Sequence, residues 1–189
     1  MTDDHAAHAD QVRPLLRARQ VRQFTDAPVD PSALDAIADV ARWSGSSQNT
    51  QPWRFVVIRH RETLRRLAEA GQPQTRSLAS AAAAIAIVLP EEKGKAISNA
   101  FDEGRAAERM LIAASLLELG AGIAWLRSEV RPGAGELLGL LEGRFVRTLV
   151  AIGHPTTAAK RPKSAPGEAR LPRSETVFSE RFGESDETR

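Results

Sequence analysis

Two arginines three residues apart, Arg19 and Arg22, stand near the start of the sequence. If the N-terminal helix predicted for this region continues through them, both guanidinium groups lie on one helix face. A guanidinium pair suits a phosphate or another delocalised anion, which it binds through parallel charge-assisted hydrogen bonds. The alternative interpretation is a solvated basic surface. The pair therefore marks a candidate anion site.

A run of small and amide residues extends from Ser44 to Gln51, between a predicted helix and a predicted strand. Its glycine and serines allow backbone amides to approach a ligand closely. Asn49 and Gln51 each present both a donor and an acceptor, as the edge of a heterocycle requires, and Pro52 stiffens the exit into the strand. Composition alone is also compatible with an ordinary loop.

The C-terminal segment 156–189 is rich in Pro, Lys, Arg, Ser and Glu and lacks an apolar run. Such a segment buries little surface by itself, so it is either a loose tail or an arm laid on another surface. It contains a third polar cluster, Arg170-Leu171-Pro172-Arg173, whose simplest interpretation is a disordered basic segment.

Length and composition restrict the classes of function. The 189 residues, 42% of them hydrophobic, suit a single domain over 1–189, with residues 1–10 expected to be mobile. No apolar run approaches the roughly 20 residues that span a bilayer, and the acidic start lacks the regions of a secretory signal. The formal net charge is only +2, with basic and acidic residues interspersed. We therefore expect a cytoplasmic protein with neither a membrane nor a nucleic acid as partner.

The sequence contains no cysteine, which excludes disulfides, thiolate nucleophiles and cysteine-bound metal clusters. Any redox chemistry must therefore come from a bound cofactor. Two of the four histidines, His5 and His8, lie in the N-terminus expected to be mobile, and no convincing Ser-His-Asp arrangement is present. We predict neither a metal site nor a protein nucleophile.

Predicted helices and strands alternate, which indicates a layered α/β or α+β domain with helices covering a sheet. Asp30 and Pro31 begin a helix that Gly45 ends, because Asp caps free amides and Pro fits the first helical position. The longest helix, 101–119, is rich in alanine, which suits a central or dimer-facing position, and Gly120 ends it. The remaining predictions are an inner strand over 54–59, a helix over 62–71, a strand rather than a helix over 83–89, strands over 122–127 and 147–152, and a helix over 132–141.

Several motifs, taken in order, make the sequence resemble the FMN-dependent nitroreductase family. Arg19-Gln20-Val21-Arg22-Gln23-Phe24 and Ser46-Ser47-Gln48-Asn49-Thr50-Gln51-Pro52-Trp53 have the order and spacing of the family's opening elements. The segments 104–111, 119–123 and 150–155 are similar to its central helix, the strand after it and its last core strand. The resemblance covers roughly residues 17–172.

The resemblance implies an α+β fold, a three-layer nitroreductase-like sandwich whose mixed central sheet is covered by helices. It implies an arm-exchanged homodimer with two FMN sites at the subunit interface. Segment 156–189 would then be the arm that reaches the partner subunit.

The resemblance also implies a set of FMN-binding residues. One group would hold the phosphate and the pyrimidine side of the flavin, a second would contact the flavin of the partner subunit, and a third would lie beside the flavin ring or bind the phosphate late in the chain. In that order, the groups are Arg19, Gln20 and Arg22; Ser46, Ser47 and Asn49; and Leu126, Arg127 and Arg170. Gln51 is a further cofactor-binding residue that the resemblance implies.

Three positions depart from the family pattern. Gln20 stands where Ser is usual, so a compact hydroxyl is replaced by an amide donor. Arg127-Ser128 replaces the Glu-Gly of some members at the strand end beside the flavin, and Arg109 stands where Asn is common. The sequence does not explain these departures.

The implied activity is electron transfer from NADH or NADPH through FMN to a nitroaromatic, quinone or similar acceptor in a ping-pong cycle. Arg22, placed beside N1 and the C2 carbonyl of the flavin, would favour the negatively charged reduced form and raise its potential. Two alternatives stay open. One is another flavin chemistry on the same fold, such as dehalogenation, heterocycle oxidation or flavin fragmentation. The other is a catalytically silent FMN-binding dimer.

Overall fold

A computed structural model describes residues 2–161 and 170–183 of the chain. The chain divides into two compact units, Met1–Ala159 and Lys160–Arg189. All four strands lie in the first unit, and the division falls within the segment predicted as an arm. None of the helices among the described residues is long and apolar enough to span a membrane.

The first unit contains a four-stranded sheet and helices on both of its faces. The helices are α1 (Thr2–Leu16), α2 (Pro31–Arg42), α3 (Arg61–Ala70), α4 (Ala96–Leu116) and α5 (Arg131–Leu137), and a short helix α6 (Thr157–Lys160) follows. The strands are β1 (Arg54–Ile58), β2 (Ala83–Pro90), β3 (Gly120–Trp125) and β4 (Arg144–Gly153). The N-terminal residues expected to be mobile therefore fall within α1 from Thr2 onward.

The strand order is β1-β2-β4-β3, and every neighbouring pair is antiparallel. The mixed sheet expected from the resemblance is thus antiparallel among the described residues, apart from one isolated parallel bridge between Gln20 and Ala121. The connection from β2 through α4 to β3 creates no parallel pair, because β3 joins the sheet beyond β4 and not beside β2.

Strand β2 separates two hydrophobic cores, which confirms the strand interpretation of residues 83–89. Ile85 and Ile87 face the core that contains α2 and α4. Ala84 and Ala86 face the core that contains α3 and α5. Successive side chains of a strand point to opposite faces, so a continuous apolar run is what a strand covered on both sides requires. The three-layer arrangement follows from this strand.

Several predicted boundaries and one position in the sheet are wrong. Residues 54–59 form an edge strand, not an inner one, and Val57 on it is exposed. Helix α2 has the predicted Asp30 cap, whose carboxylate accepts from the Ser32 amide at 2.8 Å, but it ends at Arg42, before Gly45. Helix α4 begins at Ala96, five residues before the predicted start, and ends at Leu116. Gly120, which was predicted to end this helix, is instead the first residue of β3.

Candidate active site

The segment after α1 lies along the free edge of β3. Helix α1 ends at Leu16, so the arginine pair is not on a helix face as predicted. The Val21 amide donates to the Ala121 carbonyl at 2.8 Å, and the Gln20 side-chain oxygen accepts from the Ile123 amide at 2.7 Å. This close approach needs glycine in the strand, because a Cβ atom on Gly122 would lie 2.1 Å from the Val21 carbonyl oxygen.

Beyond Gln20 the edge of β3 is left open. In an antiparallel strand, alternate residues direct both backbone polar groups to the same side. Leu126 donates to the Arg147 carbonyl of β4, whereas Ala121 and Ile123 face the outer edge. The Ile123 carbonyl and the Trp125 backbone groups therefore also point outward, and no described residue takes them as hydrogen-bond partners. The edge presents an acceptor and a donor to whatever lies beside it.

A cavity of about 330 Å³ lies at this open edge. Arg22 lines it, together with Ile123 and Trp125 of β3 and with Gln74 and Arg76 of the connection between α3 and β2. The volume falls within the 300 to 1,000 Å³ usual for small-molecule sites, at the lower end. Two guanidinium groups, one amide and unpaired backbone groups suit a planar heterocycle that carries an anionic group.

The predicted residues around this cavity have different roles. Arg22 lines the cavity, but Arg19 does not, and it donates instead to the Ala159 carbonyl at 2.7 Å. Gln20 does not line the cavity either, and its side-chain oxygen accepts from the Ile123 amide. The side chain therefore anchors the segment to β3, and only its NH₂ group is left as a donor.

Gln74, Arg76 and Ser77 line the cavity but were not predicted. They belong to a polar run after α3, Gln72-Pro73-Gln74-Thr75-Arg76-Ser77. That run could have been noticed by the same compositional argument as the run at 44–51. Its nearness to β3 could not, because the two segments are far apart in sequence.

The run 44–51 forms a tight loop around a single 3₁₀ turn, Ser47–Asn49, in which Ser44 is buried and residues 47–51 are exposed. Gln48, Asn49 and Gln51 have φ values of 50°, 54° and 47°, a region that costs energy for residues other than glycine. The Ser46 hydroxyl accepts from the Gln51 amide at 2.9 Å, and the Gln51 side chain donates to that of Asn49 at 3.1 Å. The loop is therefore held in one strained conformation.

Helix α4 anchors this loop. The buried carboxylate of Asp102 accepts from the Ser47 amide at 3.0 Å. The Arg105 guanidinium lies so close to Gly45 that a Cβ atom there would be 2.3 Å from Nη2. Arg109 donates to the Trp43 carbonyl at 2.9 Å, which gives a structural role to the departure from Asn at this position. The four predicted residues Ser46, Ser47, Asn49 and Gln51 do not line the cavity at β3 of their own chain.

The remaining predicted residues lie after β3 or in the second unit. The Leu126 side chain is fully buried in the core, its amide donates to the Arg147 carbonyl of β4 and its carbonyl accepts from Arg131, so Leu126 does not line the cavity at β3. Arg127 is exposed and forms an ion pair with Glu129 at 3.2 Å. The pKa of Glu129 lies below its ordinary value. The largest cause is a hydrogen bond from the backbone amide of Glu129 to its own carboxylate, and a smaller one is the positive charge of Arg127. Arg170 is an exposed residue of the second unit.

Comparison with known proteins agrees with this fold. The model of the Nitroreductase family matches residues 15–154, so the chain belongs to the nitroreductase family. A relative from Archaeoglobus fulgidus, provisionally named NADH dehydrogenase/NAD(P)H nitroreductase, is 33% identical over 146 residues, which cover 72% of this chain and 80% of the relative. The homologues thus support an oxidoreductase.

Solved structures share the fold. A provisionally named NADH oxidase from Clostridium acetobutylicum has a TM-score of 0.67 at 26% identity and covers 74% of this chain and 86% of its own. An FMN-dependent nitroreductase from Clostridium difficile has a TM-score of 0.77 at 24% identity, over 89% of this chain and 98% of its own. The nitroreductase-like α+β fold is therefore established by sequence and by structure.

Proposed function

We propose that the protein binds FMN and transfers electrons from NADH or NADPH to a nitroaromatic, quinone or similar acceptor in a ping-pong cycle. The observation that carries the proposal is the cavity at β3, where Arg22 and unpaired strand-edge groups meet. The name FMN-dependent nitroreductase of the Clostridium difficile structure and the nicotinamide-dependent name of the Archaeoglobus relative support the choice of cofactor and electron donor.

The residues at the cavity fit FMN chemically. A flavin pyrimidine ring alternates carbonyl acceptors with an N–H donor, and the Trp125 amide and the Ile123 carbonyl offer the complementary groups at the strand edge. Gln74 adds a side-chain amide. Arg22 and Arg76 supply positive charge for the phosphate or for the electron-rich side of the ring.

When bound, FMN would supply the chemistry by accepting a hydride from the nicotinamide and passing its electrons to the acceptor. The protein would bind and orient the reactants and set the potential. A charge-assisted hydrogen bond from Arg22 is worth about 1.5 to 3 kcal/mol. For a two-electron couple, about 1.4 kcal/mol corresponds to 30 mV, so Arg22 would raise the potential by tens of millivolts.

We also propose that the working unit is a homodimer. Residues 47–51 of the loop are exposed and rigidly held, yet the side chains of the loop do not line the cavity of their own chain. Large apolar side chains on α4 are exposed, with Ile97 at 77% and Phe101 at 72%. A second copy packed on α4 would cover them and could bring Ser46, Ser47 and Asn49 to the partner's flavin, and segment 156–189, including Arg170, would form the exchanged arm.

The test is a visible spectrum of the purified protein, followed by anaerobic titration with NADH and with NADPH. We expect a yellow protein whose flavin absorbance is bleached by at least one nicotinamide and restored by a nitroaromatic or a quinone. Slow bleaching by both nicotinamides would instead favour a silent flavin-binding dimer. A colourless protein that takes up no FMN would reject the proposal.

A further inference from the structure

A second and larger cavity, of about 710 Å³, lies between the first turns of α4, helix α5 and the adjoining ends of β2 and β4. It shares no lining residue with the cavity at β3. Its walls are largely apolar, with Leu89, Phe145, Leu140 and Leu141 among them. A volume of this size suits a small organic molecule, and nothing in the proposed electron transfer uses it.

One buried polar side chain faces this cavity without a partner. Asn99, in the first turn of α4, is only 4% exposed and lines the cavity. No hydrogen bond joins its side chain to any other residue that the structure describes. The buried side-chain atoms without a partner among the described residues belong to Ser44 and Glu103, so the Asn99 amide keeps access to the cavity, where it can donate to a polar group that enters.

The half-buried charged side chains that line the cavity are those of Arg131, Arg144 and Arg147. Arg147 is the extra residue of a β-bulge, since Ile87 pairs with Thr148 and Val88 with Val146. Its Nε and Nη2 atoms donate to the buried Glu103, which leaves Nη1 for another acceptor. Bulges often redirect a side chain toward a functional site, and here the bulge residue lines the cavity.

Two further arginines in the cavity wall carry charge that no described carboxylate pairs. Arg131 donates through Nε to the Leu126 carbonyl, and its guanidinium lies 5.6 Å from the Phe145 ring centre. Neither Arg131 nor Arg144 forms an ion pair among the described residues, although both are half-buried. The cavity's carboxylates are exposed at its mouth, and are those of Glu91, Glu92, Glu136 and Glu142.

We propose that this cavity binds an organic carboxylate with an apolar body, such as an arylcarboxylate. The carboxylate would accept hydrogen bonds from Asn99 and from Arg131 or Arg147, and the apolar body would lie against Leu89 and Phe145. The guanidinium groups match a charged head, and the apolar walls match an apolar body. A metal ion or a free phosphate has no apolar body, so neither fits the cavity as well as this ligand. This site goes beyond the proposed electron transfer and does not depend on it.

The test is calorimetric titration of the FMN-saturated protein with 2-naphthoate, and with the uncharged 2-naphthalenemethanol as the matched control ligand. We expect saturable binding of one naphthoate per chain and at least ten-fold weaker binding of the alcohol. Asn99→Leu and Arg131→Met should each weaken naphthoate binding about ten-fold, as expected for one lost hydrogen bond to a charged group. The control Arg66→Met, on the exposed face of α3, should change nothing.

Three outcomes would overturn this proposal. The first is equal binding of the acid and the alcohol, and the second is an unchanged naphthoate affinity in both Asn99→Leu and Arg131→Met. The third is naphthoate binding that FMN abolishes, because the compound would then occupy the cavity at β3. If Asn99→Leu fails to fold, as judged by its thermal transition, Arg131→Met and the comparison of the acid with the alcohol decide the question. A protein that takes up no FMN but still binds naphthoate through Arg131 would reject the proposed function and leave this site intact.

Discussion

At the scale of single residues, the position of a guanidinium relative to β3 decides whether it lines the cavity. Arg19 and Arg22 are chemically alike and three positions apart, yet only Arg22 lines the cavity at the strand edge. Arg19 contacts the Ala159 carbonyl. Gln20, between them, is fixed on the Ile123 amide. Residue types in the sequence therefore indicated the segment 19–22 as a candidate site, and the position of β3 determines which of its two arginines lines the cavity.

Converting Arg22 to Ala should weaken FMN binding or lower the flavin potential by tens of millivolts, because a charge-assisted donor is removed. The measurements are FMN affinity by fluorescence quenching and potential by dye-linked anaerobic titration. Arg66→Ala, an exposed position outside the cavity, is the matched control. Unchanged flavin content together with an unchanged potential would reject the role of Arg22.

Sequence reasoning reached Arg22 because a local motif carries it, but it did not reach Gln74 or Arg76. Those side chains meet β3 only after the chain has folded back over a long sequence separation. The open backbone edge at Trp125 could not be predicted from the sequence either. It depends on where the hydrogen bonding between β3 and the segment at Val21 ends. Contacts within a segment can be predicted from residue types, whereas contacts between segments depend on strand order.

At the scale of elements, helix α4 links the loop 44–51 to the sheet. Asp102 holds the Ser47 amide, and one residue later Glu103 pairs with Arg147 of β4. The alanine-rich pattern predicted a central helix, and its packing against β3, β4 and α2 confirms that position. The pattern did not predict these buried carboxylates, because each is explained only by a partner far away in the sequence.

Arg147→Met should destabilise the protein by about 3 to 5 kcal/mol, since it leaves the buried Glu103 carboxylate without its counter-charge. Glu103 is only 3% exposed, and its second oxygen already has no partner. Urea unfolding measures the effect, and the double variant with Glu103→Gln should recover part of the loss. Arg65→Met, whose ion pairs with Glu62 and Glu69 are half-exposed, should cost less than about 1 kcal/mol. Equal losses at the two positions would contradict this account.

The cap of α2 should make stability depend on pH in the acid range. Hydrogen bonds from the Ser32 amide and hydroxyl hold the pKa of Asp30 below its ordinary value of 3.8. A lowered pKa in the folded state stabilises the protein fully above the unfolded value, and the stabilisation is lost as pH falls through the folded one. The stability difference between the wild type and Asp30→Asn should therefore shrink as pH decreases below 3.8. Urea unfolding at a series of pH values measures it, and a difference independent of pH would contradict the assignment.

At the scale of the whole molecule, the exposed apolar surface of α4 and the outward loop are the features that a single chain leaves incomplete. Burial of apolar side chains stabilises association by roughly 25 cal/mol per Å². Ile97 and Phe101 lie one turn apart on the same helix, so they form one continuous patch and not scattered exposed residues.

In the proposed homodimer, Phe101→Glu should weaken self-association and FMN binding together, because it would place a charge in the apolar patch and withdraw the partner's loop from the flavin. Light scattering after size exclusion gives the mass, and flavin content gives the site occupancy. Leu141→Glu changes an equally exposed apolar residue outside α4 and should leave the mass unchanged. A dimer that persists in Phe101→Glu at the same dilution would contradict the proposed interface.

The two glycines of β3 limit how this protein can acquire new specificity. A methyl group at position 122 would collide with the Val21 carbonyl, and one at position 120 would press on the Val21 side chain at 2.8 Å. Selection for a different substrate or a shifted potential can therefore act on the side chains that project into the cleft, but it cannot add bulk to the strand beneath them. In directed evolution, Gln74 and Arg76 are the positions to randomise, while the backbone of β3 and its contact with Gln20 stay fixed.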